Sequence, residues 1–276
     1  MSVLTPHPGL FTRLRWQLQD SLVLARRNLA HVRQIPEKLI DVTLQPLMFV
    51  LLFAYVFGGA IGLPGGGSYH EYLIGGMFGM GIAGSAPGTA VALVADMKEG
   101  IIDRFRSLPM SRAAVLLGRT TADLLTQVIG ALVIAAAGLA IGWRIHTGPA
   151  DALAAIGLAL LFGYAFTWAG VCLGLVLRSV EAAQQLGFIL FLPLTFISNA
   201  FVPTQGMPAW LRVVADWNPF SAVAAACRRL FGNPNPSALV HAWPMQHPEL
   251  ATLLWSGALL VVFLPLAVRL YARKQR

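Results

Sequence analysis

Residues 152–177 read ALAAIGLALLFGYAFTWAGVCLGLVL, a stretch without a single charged side chain. At about 1.5 Å per residue, a helix of this length crosses the roughly 30 Å hydrocarbon core of a bilayer. Lipid offers backbone groups no water, so a spanning segment must be a helix or a strand of a closed barrel. The apolar residues are continuous and do not alternate with polar ones, which excludes the barrel strand. The stretch therefore predicts a transmembrane α-helix.

The composition of the whole chain agrees with a membrane protein. Of 276 residues, 57% are hydrophobic and 12% are charged, whereas a soluble domain carries about a quarter charged residues. Similar apolar runs predict five further spans over residues 39–61, 72–95, 113–143, 183–201 and 250–270. The expected fold class is an all-α integral membrane protein with six transmembrane helices.

Among the regions outside these spans, the lead-in and the segment before the last span show helical patterns of their own. In residues 9–38, leucines recur at helical spacing between arginines. This pattern predicts an N-terminal amphipathic helix at the membrane interface, with a solvated helix packed on a partner protein as the alternative. The chain then divides into a lead-in, 1–38, and a six-span transmembrane domain, 39–276. Prolines break residues 202–248 into short pieces, among which we expect two short outer helices over 208–216 and 219–231.

The basic residues predict the orientation. With the N-terminus inside, all but four of the 20 Lys and Arg residues fall in inner segments; the outer four are Arg144, Arg212, Arg228 and Arg229. Positive residues collect on the cytoplasmic side of membrane proteins. We therefore expect a multi-pass protein of the cell inner membrane with both termini cytoplasmic. The same bias accounts for the net charge of +8, so nucleic-acid binding is not expected.

The sequence also lacks the common catalytic motifs. It contains no GxxxxGKS/T, HExxH, CxxC or GxSxG pattern. A Walker-type phosphate-binding loop needs the first of these patterns, and the next two are common zinc-binding patterns. The six histidines are dispersed along the chain. The expectation is a chain that is no enzyme by itself, with no catalytic residues, no metal site and no bound cofactor.

The most informative polar segment is 96–112, DMKEGIIDRFRSLPMSR, between the second and third spans. It mixes acidic and basic residues, Gly100 and Pro109 punctuate it, and Ile101, Ile102 and Phe105 give it an apolar side. A short amphipathic helix of this kind can dock in a groove on a cytosolic partner. A merely solvated loop fits the composition equally well.

The segment resembles the inner-loop motif EGT-x-x-R-x-x-x-x-P-x-x-R of ABC type-2 permeases. Glu99, Gly100, Arg104, Pro109 and Arg112 match it, and Ile101 stands in place of the Thr. Two further likenesses are ARRNL in the lead-in, through Arg26, Arg27 and Asn28, and the outer segments SNAFVP, MPAWL and WNP, through Asn199, Phe201, Pro203, Met207, Pro208, Trp210, Asn218 and Pro219. The chain is most similar to the daunorubicin-resistance-type multidrug exporter branch.

The resemblance implies the permease subunit of an ATP-driven exporter, working as a homodimer with two copies of a separate ATPase subunit. ATP and Mg would bind to that partner. Hydrophobic or amphipathic cargo (drug-like, lipid or polyketide) is expected. An ion-gradient-driven secondary transporter and an ABC exporter of polysaccharide remain as alternatives. The residues that would contact the ATPase are Arg26, Arg27, Glu99, Gly100, Arg104, Phe105, Pro109 and Arg112.

Two further groups of residues are candidates. Glycines of the second span and aromatic, hydroxyl or amide residues of the fifth span are expected to line a cargo path. They are Gly75, Gly79, Phe191, Thr195, Phe196 and Asn199. Simple packing or lipid contact is the alternative. Arg119 and Asp123 are four residues apart and can pair on one helix face, either as a gating element or, as the pattern favours, as an interfacial arginine with its local partner.

Overall fold

The computed structural model describes residues 36–99 and 112–273, and the side chains of 43–99 and 116–273. This part of the chain consists of helices and turns, with no strand in the described ranges. The helices are α1 Pro36–Leu51, continued by a π-helical turn Leu52–Phe57, α2 Tyr69–Ala83, α3 Ser85–Lys98, α4 Arg112–Ala140, α5 Pro149–Val176, α6 Val180–Phe196, α7 Ala209–Asp216, α8 Pro219–Phe231, α9 Trp243–Gln246 and α10 Pro248–Arg273.

Within the described ranges, four helical stretches are long and apolar enough to cross a membrane: Tyr69–Lys98, Leu116–Ala140, Pro149–Val176 and Pro248–Arg273. Two shorter apolar helices, Thr43–Phe57 and Val180–Phe196, coincide with the predicted first and fifth spans. The all-helical, apolar architecture predicted from the sequence is thus confirmed for the described residues. The two short helices expected between spans five and six are also present, as α7 and α8.

The long stretch Tyr69–Lys98 is divided into α2 and α3 at Gly84. Pro87 has no backbone N–H to donate to the carbonyl of Ala83, four residues earlier, so the hydrogen-bond ladder is interrupted there. Next to this interruption, the Ser85 hydroxyl donates to the carbonyl of Ile82 at 3.0 Å. The break therefore places polar groups, the Ala83 carbonyl and the Ser85 hydroxyl, near the middle of an otherwise apolar stretch.

Helix α5 is the central helix of the bundle. It packs against α3 and α10 along much of its length, and against α2, α4 and α8. Small residues permit the closest of these approaches, because a Cβ on Gly174 would lie 2.8 Å from the carbonyl oxygen of Ala90 in α3. Such small-residue contacts are the usual means by which helices associate in lipid.

Helix α8 has well-defined ends. Asn218 caps its N-terminus by accepting from the N–H of Phe220 at 2.9 Å, Pro219 occupies the first turn, and Gly232 ends it with φ 71°. These are ordinary start and stop signals. The helix is nonetheless buried from Phe220 through Arg228, packed between α2, α5 and α10. It is therefore inserted into the bundle and does not lie on its surface.

The connections lie at two opposite ends of the bundle. We call the end with residues 58–68 and 141–148 the glycine-loop end, and the end at which α3 and α5 finish and α4 and α6 begin the charged-loop end. The 197–247 region, including α8, belongs to the glycine-loop end, because the His146 N–H donates to the carbonyl of Phe231 and Trp143 Nε1 donates to Asn233 Oδ1.

Candidate transport site

The glycines of α2 accommodate α8 of the same chain. A Cβ on Gly79 would lie 2.6 Å from Cγ1 of Val223, and one on Gly75 would overlap Cγ of Arg228. A Cβ on Gly76 would overlap the carbonyl of Ala200. In this subunit, therefore, the space that Gly75 and Gly79 leave is filled by α8, and their place beside a cargo path stays a prediction.

Arg228 is the most unusual residue of this contact, because its side chain is fully buried. Its Nε donates to the carbonyl of Tyr72 at 2.8 Å, and Nη2 donates to the carbonyls of Asn199 at 2.8 Å and Ala200 at 2.9 Å. Nη1 donates to Oδ1 of Asn199 at 3.2 Å. The Tyr72 ring lies 3.6 Å from the guanidinium carbon. Burying a charge is costly unless it is paired or hydrogen-bonded, and here backbone carbonyls and a ring face supply the compensation.

Asn199 is held from several sides. Its Nδ2 donates to Ser237 Oγ at 2.7 Å, and its backbone N–H donates to Ser221 Oγ at 2.9 Å. The hydroxyl of Tyr72 donates to its carbonyl. Together with Arg228, these bonds fix residues 198–200, which we call the 198–200 turn, to α2 and α8. Asn199, predicted to line the cargo path, is thus the centre of a buried polar network at the glycine-loop end.

The end of α6 is joined to the start of α8. Pro193 lies in the last turn of α6, where the final carbonyls of a helix have no partner within the helix. Asn218 Nδ2 donates to the carbonyls of Leu194 at 2.7 Å and Ile197 at 2.6 Å. One asparagine therefore caps the beginning of α8 with its oxygen and the end of α6 with its nitrogen.

The remaining predicted path residues differ in exposure. Thr195 is buried and donates to the carbonyl of Phe191 at 2.9 Å. Phe191 is half-buried and packs edge-on against Phe220 of α8, with ring centroids 5.5 Å apart. Phe196 is 51% exposed. With Phe188 and Ile189 it forms an apolar face of α6 that the described residues cover only in part, since Phe201 packs on Phe196 with ring centroids 5.5 Å apart. Leu190, on another side of the helix, is also exposed.

An ion-pair cluster lies between α3 and α4 toward the charged-loop end. Arg119 Nη1 is 3.0 Å from Oδ2 of Asp96, and its Nε is 3.6 Å from Oδ1 of Asp123. The hydroxyl of Thr89 donates to Oδ2 of Asp123 at 2.8 Å. The pairing of Arg119 with Asp123 expected from their spacing is present, and Asp96 joins it from the other helix.

Most of the predicted ATPase-coupling residues fall outside the described residues. These are Arg26, Arg27, Gly100, Arg104, Phe105 and Pro109. Glu99 is exposed at the end of α3, and Arg112 is the first residue of α4, with its side chain outside the described set. The structure brings the chain positions Glu99 and Arg112 to the same end of the bundle.

An acidic residue of α7 is also buried. Asp216 accepts a hydrogen bond from the Thr204 hydroxyl at 3.0 Å. Burial raises the pKa of the Asp216 carboxyl above its ordinary value, while the Thr204 bond and the positive charge of Arg212 act in the opposite direction. Across α7, Trp210, Val213 and Trp217 are exposed, which agrees with an apolar face directed at the membrane interface.

Sequence reasoning missed two functional candidates. It placed Arg228 in an outer segment without distinguishing it from its neighbour Arg229, whereas the structure buries the former and leaves the latter exposed. The capping signals at Asn218 and Gly232 indicate the helix, but not which face of it enters the bundle. Asp96 was noted only as part of the charged segment, since its partner Arg119 is 23 residues away along the chain.

Comparison with known proteins places this arrangement in a family. Residues 19–231 match the model of the ABC-2 type transporter family. The chain is 32% identical over 248 residues to the daunorubicin resistance ABC transporter permease protein DrrB1 of Streptomyces coeruleorubidus, covering 90% of this chain and 84% of the relative. It is 25% identical over 219 residues to the putative transport permease ycf38 of Porphyra purpurea, covering 78% and 75%. It is also 25% identical over 186 residues to a probable doxorubicin resistance ABC transporter permease, DrrC, of Mycobacterium tuberculosis strain H37Rv, covering 65% and 62%. The chain belongs to the ABC-2 type transporter family.

Proposed function

We propose that this chain is the membrane permease of an ABC exporter and that it moves hydrophobic or amphipathic cargo outward. The observation that carries the proposal is the match to a drug-resistance ABC permease over 84% of that relative, on a bundle of membrane-length helices. The sequence has no phosphate-binding GxxxxGKS/T motif. ATP and Mg are therefore assigned to a separate ATPase subunit.

The proposed topology has six spans in the cell membrane with both termini cytoplasmic. In this topology the shorter helices Thr43–Phe57 and Val180–Phe196 are the first and fifth spans, and the four long helical stretches are the other four. The glycine-loop end is then outside and the charged-loop end inside, as the basic residues require. Alkaline phosphatase fused after His146 should be active, and the same enzyme fused after Arg273 inactive. The reverse pattern would overturn the orientation.

The permease works as a homodimer in this proposal, with the partly uncovered face of α6 lining the cargo path. Phe188 and Phe196 give that face apolar surface, which suits a binding path for apolar or amphipathic molecules. The 198–200 turn stands at its outer end and serves as the outer gate. Gly75 and Gly79 reach such a path only when α8 moves away from α2. Membrane lipid covers the remaining apolar surface of the bundle.

The ATPase docks at the charged-loop end through residues 96–112 and the basic lead-in. This follows from the amphipathic composition of that segment and its likeness to the family motif. The site on the permease consists of Glu99 and the matching residues up to Arg112.

The test is transport by the assembled complex. The chain is co-expressed with a candidate ABC ATPase subunit, reconstituted in proteoliposomes and assayed for daunorubicin movement with ATP inside or outside the vesicles. Transport should require ATP and the ATPase, and should survive an uncoupler that collapses the proton gradient. Transport without ATP that stops with the uncoupler would establish the secondary-transporter alternative.

A further inference from the structure

The boundary between α3 and α4 is polar over the half of the bundle nearest the charged-loop end. Helix α3 packs mainly against α5 and α6, whereas α4 packs mainly against α1, α2 and α5. Three hydrogen bonds join the two helices directly: Gln127 Nε2 to Ser85 Oγ at 2.7 Å, Thr89 Oγ1 to Asp123 Oδ2 at 2.8 Å, and Arg119 Nη1 to Asp96 Oδ2 at 3.0 Å. We call this row of contacts the α3–α4 seam.

The seam follows the antiparallel register of the two helices. On α4 its members Arg119, Asp123 and Gln127 are spaced by four residues, so they lie on one face. Gln127 also donates to Thr167 of α5 at 2.9 Å, next to the break between α2 and α3. The seam thus runs from the helix interruption deep in the bundle to the point where α3 and α4 leave it.

Arg119 has two acidic partners of different kinds. Asp123 lies one turn away on the same helix and stays within reach however α4 moves. Asp96 lies on α3 and is lost as soon as the helices separate. Its side chain is 34% exposed, so water can solvate the freed carboxylate. Breaking a buried ion pair is costly when a charge is left unpaired, and here the pair with Asp123 prevents that outcome.

We propose that Arg119 is a positioning residue for transport. When the α3–α4 seam is closed, Arg119 pairs with Asp96 across it; when the seam opens, Arg119 stays paired with Asp123 alone. The proposal rests on the proposed function, because residues 96–112, which join α3 to α4, are the segment assigned to the ATPase. An ATPase that binds there acts on the ends of α3 and α4 and so changes the separation of these two helices. The α3–α4 seam transmits this change in separation to Gln127 and to the break at Gly84. The seam then has two arrangements, open and closed, and events at either end of it shift the balance between them.

Substituting Asp96 and substituting Asp123 should shift the opening of the α3–α4 seam in opposite directions. Asp96→Asn weakens the bond across the seam and shifts the equilibrium toward the open form by roughly tenfold, the usual effect of losing one charge-assisted hydrogen bond. Asp123→Asn removes the alternative partner of Arg119 but leaves a side-chain oxygen that can still accept the Thr89 hydrogen bond across the seam. Arg119 then depends on Asp96, and the seam stays closed. A merely structural cluster would respond to both substitutions in the same direction.

The separation is measured by spin labels on Ala92→Cys in α3 and Leu125→Cys in α4, in the permease alone in lipid nanodiscs. Cys172 and Cys227 are free and buried, and an unsubstituted sample controls for their labelling. We expect a longer, broader distance distribution for Asp96→Asn and a narrower, shorter one for Asp123→Asn. Asp151→Asn, an exposed carboxylate at the opposite end of the bundle, should match the unaltered protein.

In the complex with the ATPase, Asp96→Asn should raise ATP hydrolysis in the absence of cargo and lower daunorubicin export per ATP, whereas Asp123→Asn should slow both. Arg119→Lys is a second variant, since an ammonium cannot reach both acids as the guanidinium fork does; it should resemble Asp96→Asn. Distances that shift in the same direction for both aspartates, or that equal those of Asp151→Asn, overturn the proposal. The distance experiment needs no ATPase, so it decides the seam even if the proposed function fails.

Discussion

Arg228 offers the sharpest test of how the glycine-loop end is held together. Arg228→Met keeps most of the aliphatic length of the side chain but removes the guanidinium. The carbonyls of Tyr72, Asn199 and Ala200 then lose a donor in a site without solvent access. Hydrogen bonds to a charged group contribute about 1.5–3 kcal/mol each, and the desolvation cost of the buried cation, several kcal/mol, offsets part of their sum.

The expected net loss in free energy of unfolding is about 3–5 kcal/mol, because three buried carbonyls lose a donor at about 1–3 kcal/mol each and the desolvation cost of the removed cation offsets part of that sum. For a chain of this size that corresponds to a fall in melting temperature of about 10 °C. Arg229→Met is the matched control. Arg229 is the next residue of α8, its side chain is 56% exposed, and it pairs with Glu249 at 3.4 Å, so its loss should cost less than about 1 kcal/mol.

The chain contains its own reporter for this measurement. Cys172 and Cys227 are buried thiols, so a thiol-reactive dye in detergent becomes fluorescent only as the bundle unfolds. The two variants are heated side by side with the unaltered protein. Equal melting temperatures for Arg228→Met and Arg229→Met would refute the argument that carbonyl contacts to Arg228 fasten the 198–200 turn to α2 and α8.

Three further predictions concern docking, path and pH. Reversing charge at the ATPase-docking segment, by Glu99→Arg or Arg104→Glu, should uncouple ATP hydrolysis from daunorubicin export while the permease stays folded; export at full rate in both variants would leave the segment as a plain loop. Phe196→Trp should reduce export severalfold without reducing the amount of dimer, whereas Val262→Trp, at a similarly exposed site of α10 (56% exposed), should have little effect, and equal effects would place the path elsewhere. Because burial raises the pKa of Asp216, the folded state binds the proton more tightly than the unfolded state. Thermal stability should therefore fall as pH rises above about 4. Asp216→Asn should abolish this dependence in a series of melting temperatures measured against pH, and an unchanged dependence would assign it to another group.

The sequence by itself determined the features that depend on local composition. A helix in lipid must bury its own backbone polarity and present apolar side chains, so each membrane helix is visible as an apolar run. The caps of α8 are visible for a similar reason, because Asn218, Pro219 and Gly232 act on the backbone next to them. The pair Arg119–Asp123 follows from helix periodicity. Family membership was also accessible, since its motifs are short and contiguous.

Only the tertiary structure decided what the polar side chains contact. Arg228 bonds to Tyr72, 156 residues away, and nothing local distinguishes it from the exposed Arg229. The glycines of α2 leave room for a close helix approach, but the identity of the approaching helix, α8 of the same chain, depends on how the helices assemble. In lipid the apolar surface gives little preference between neighbouring helices, so small residues and polar contacts choose the partners. These contacts join distant parts of the chain, and no pattern within one helix specifies them.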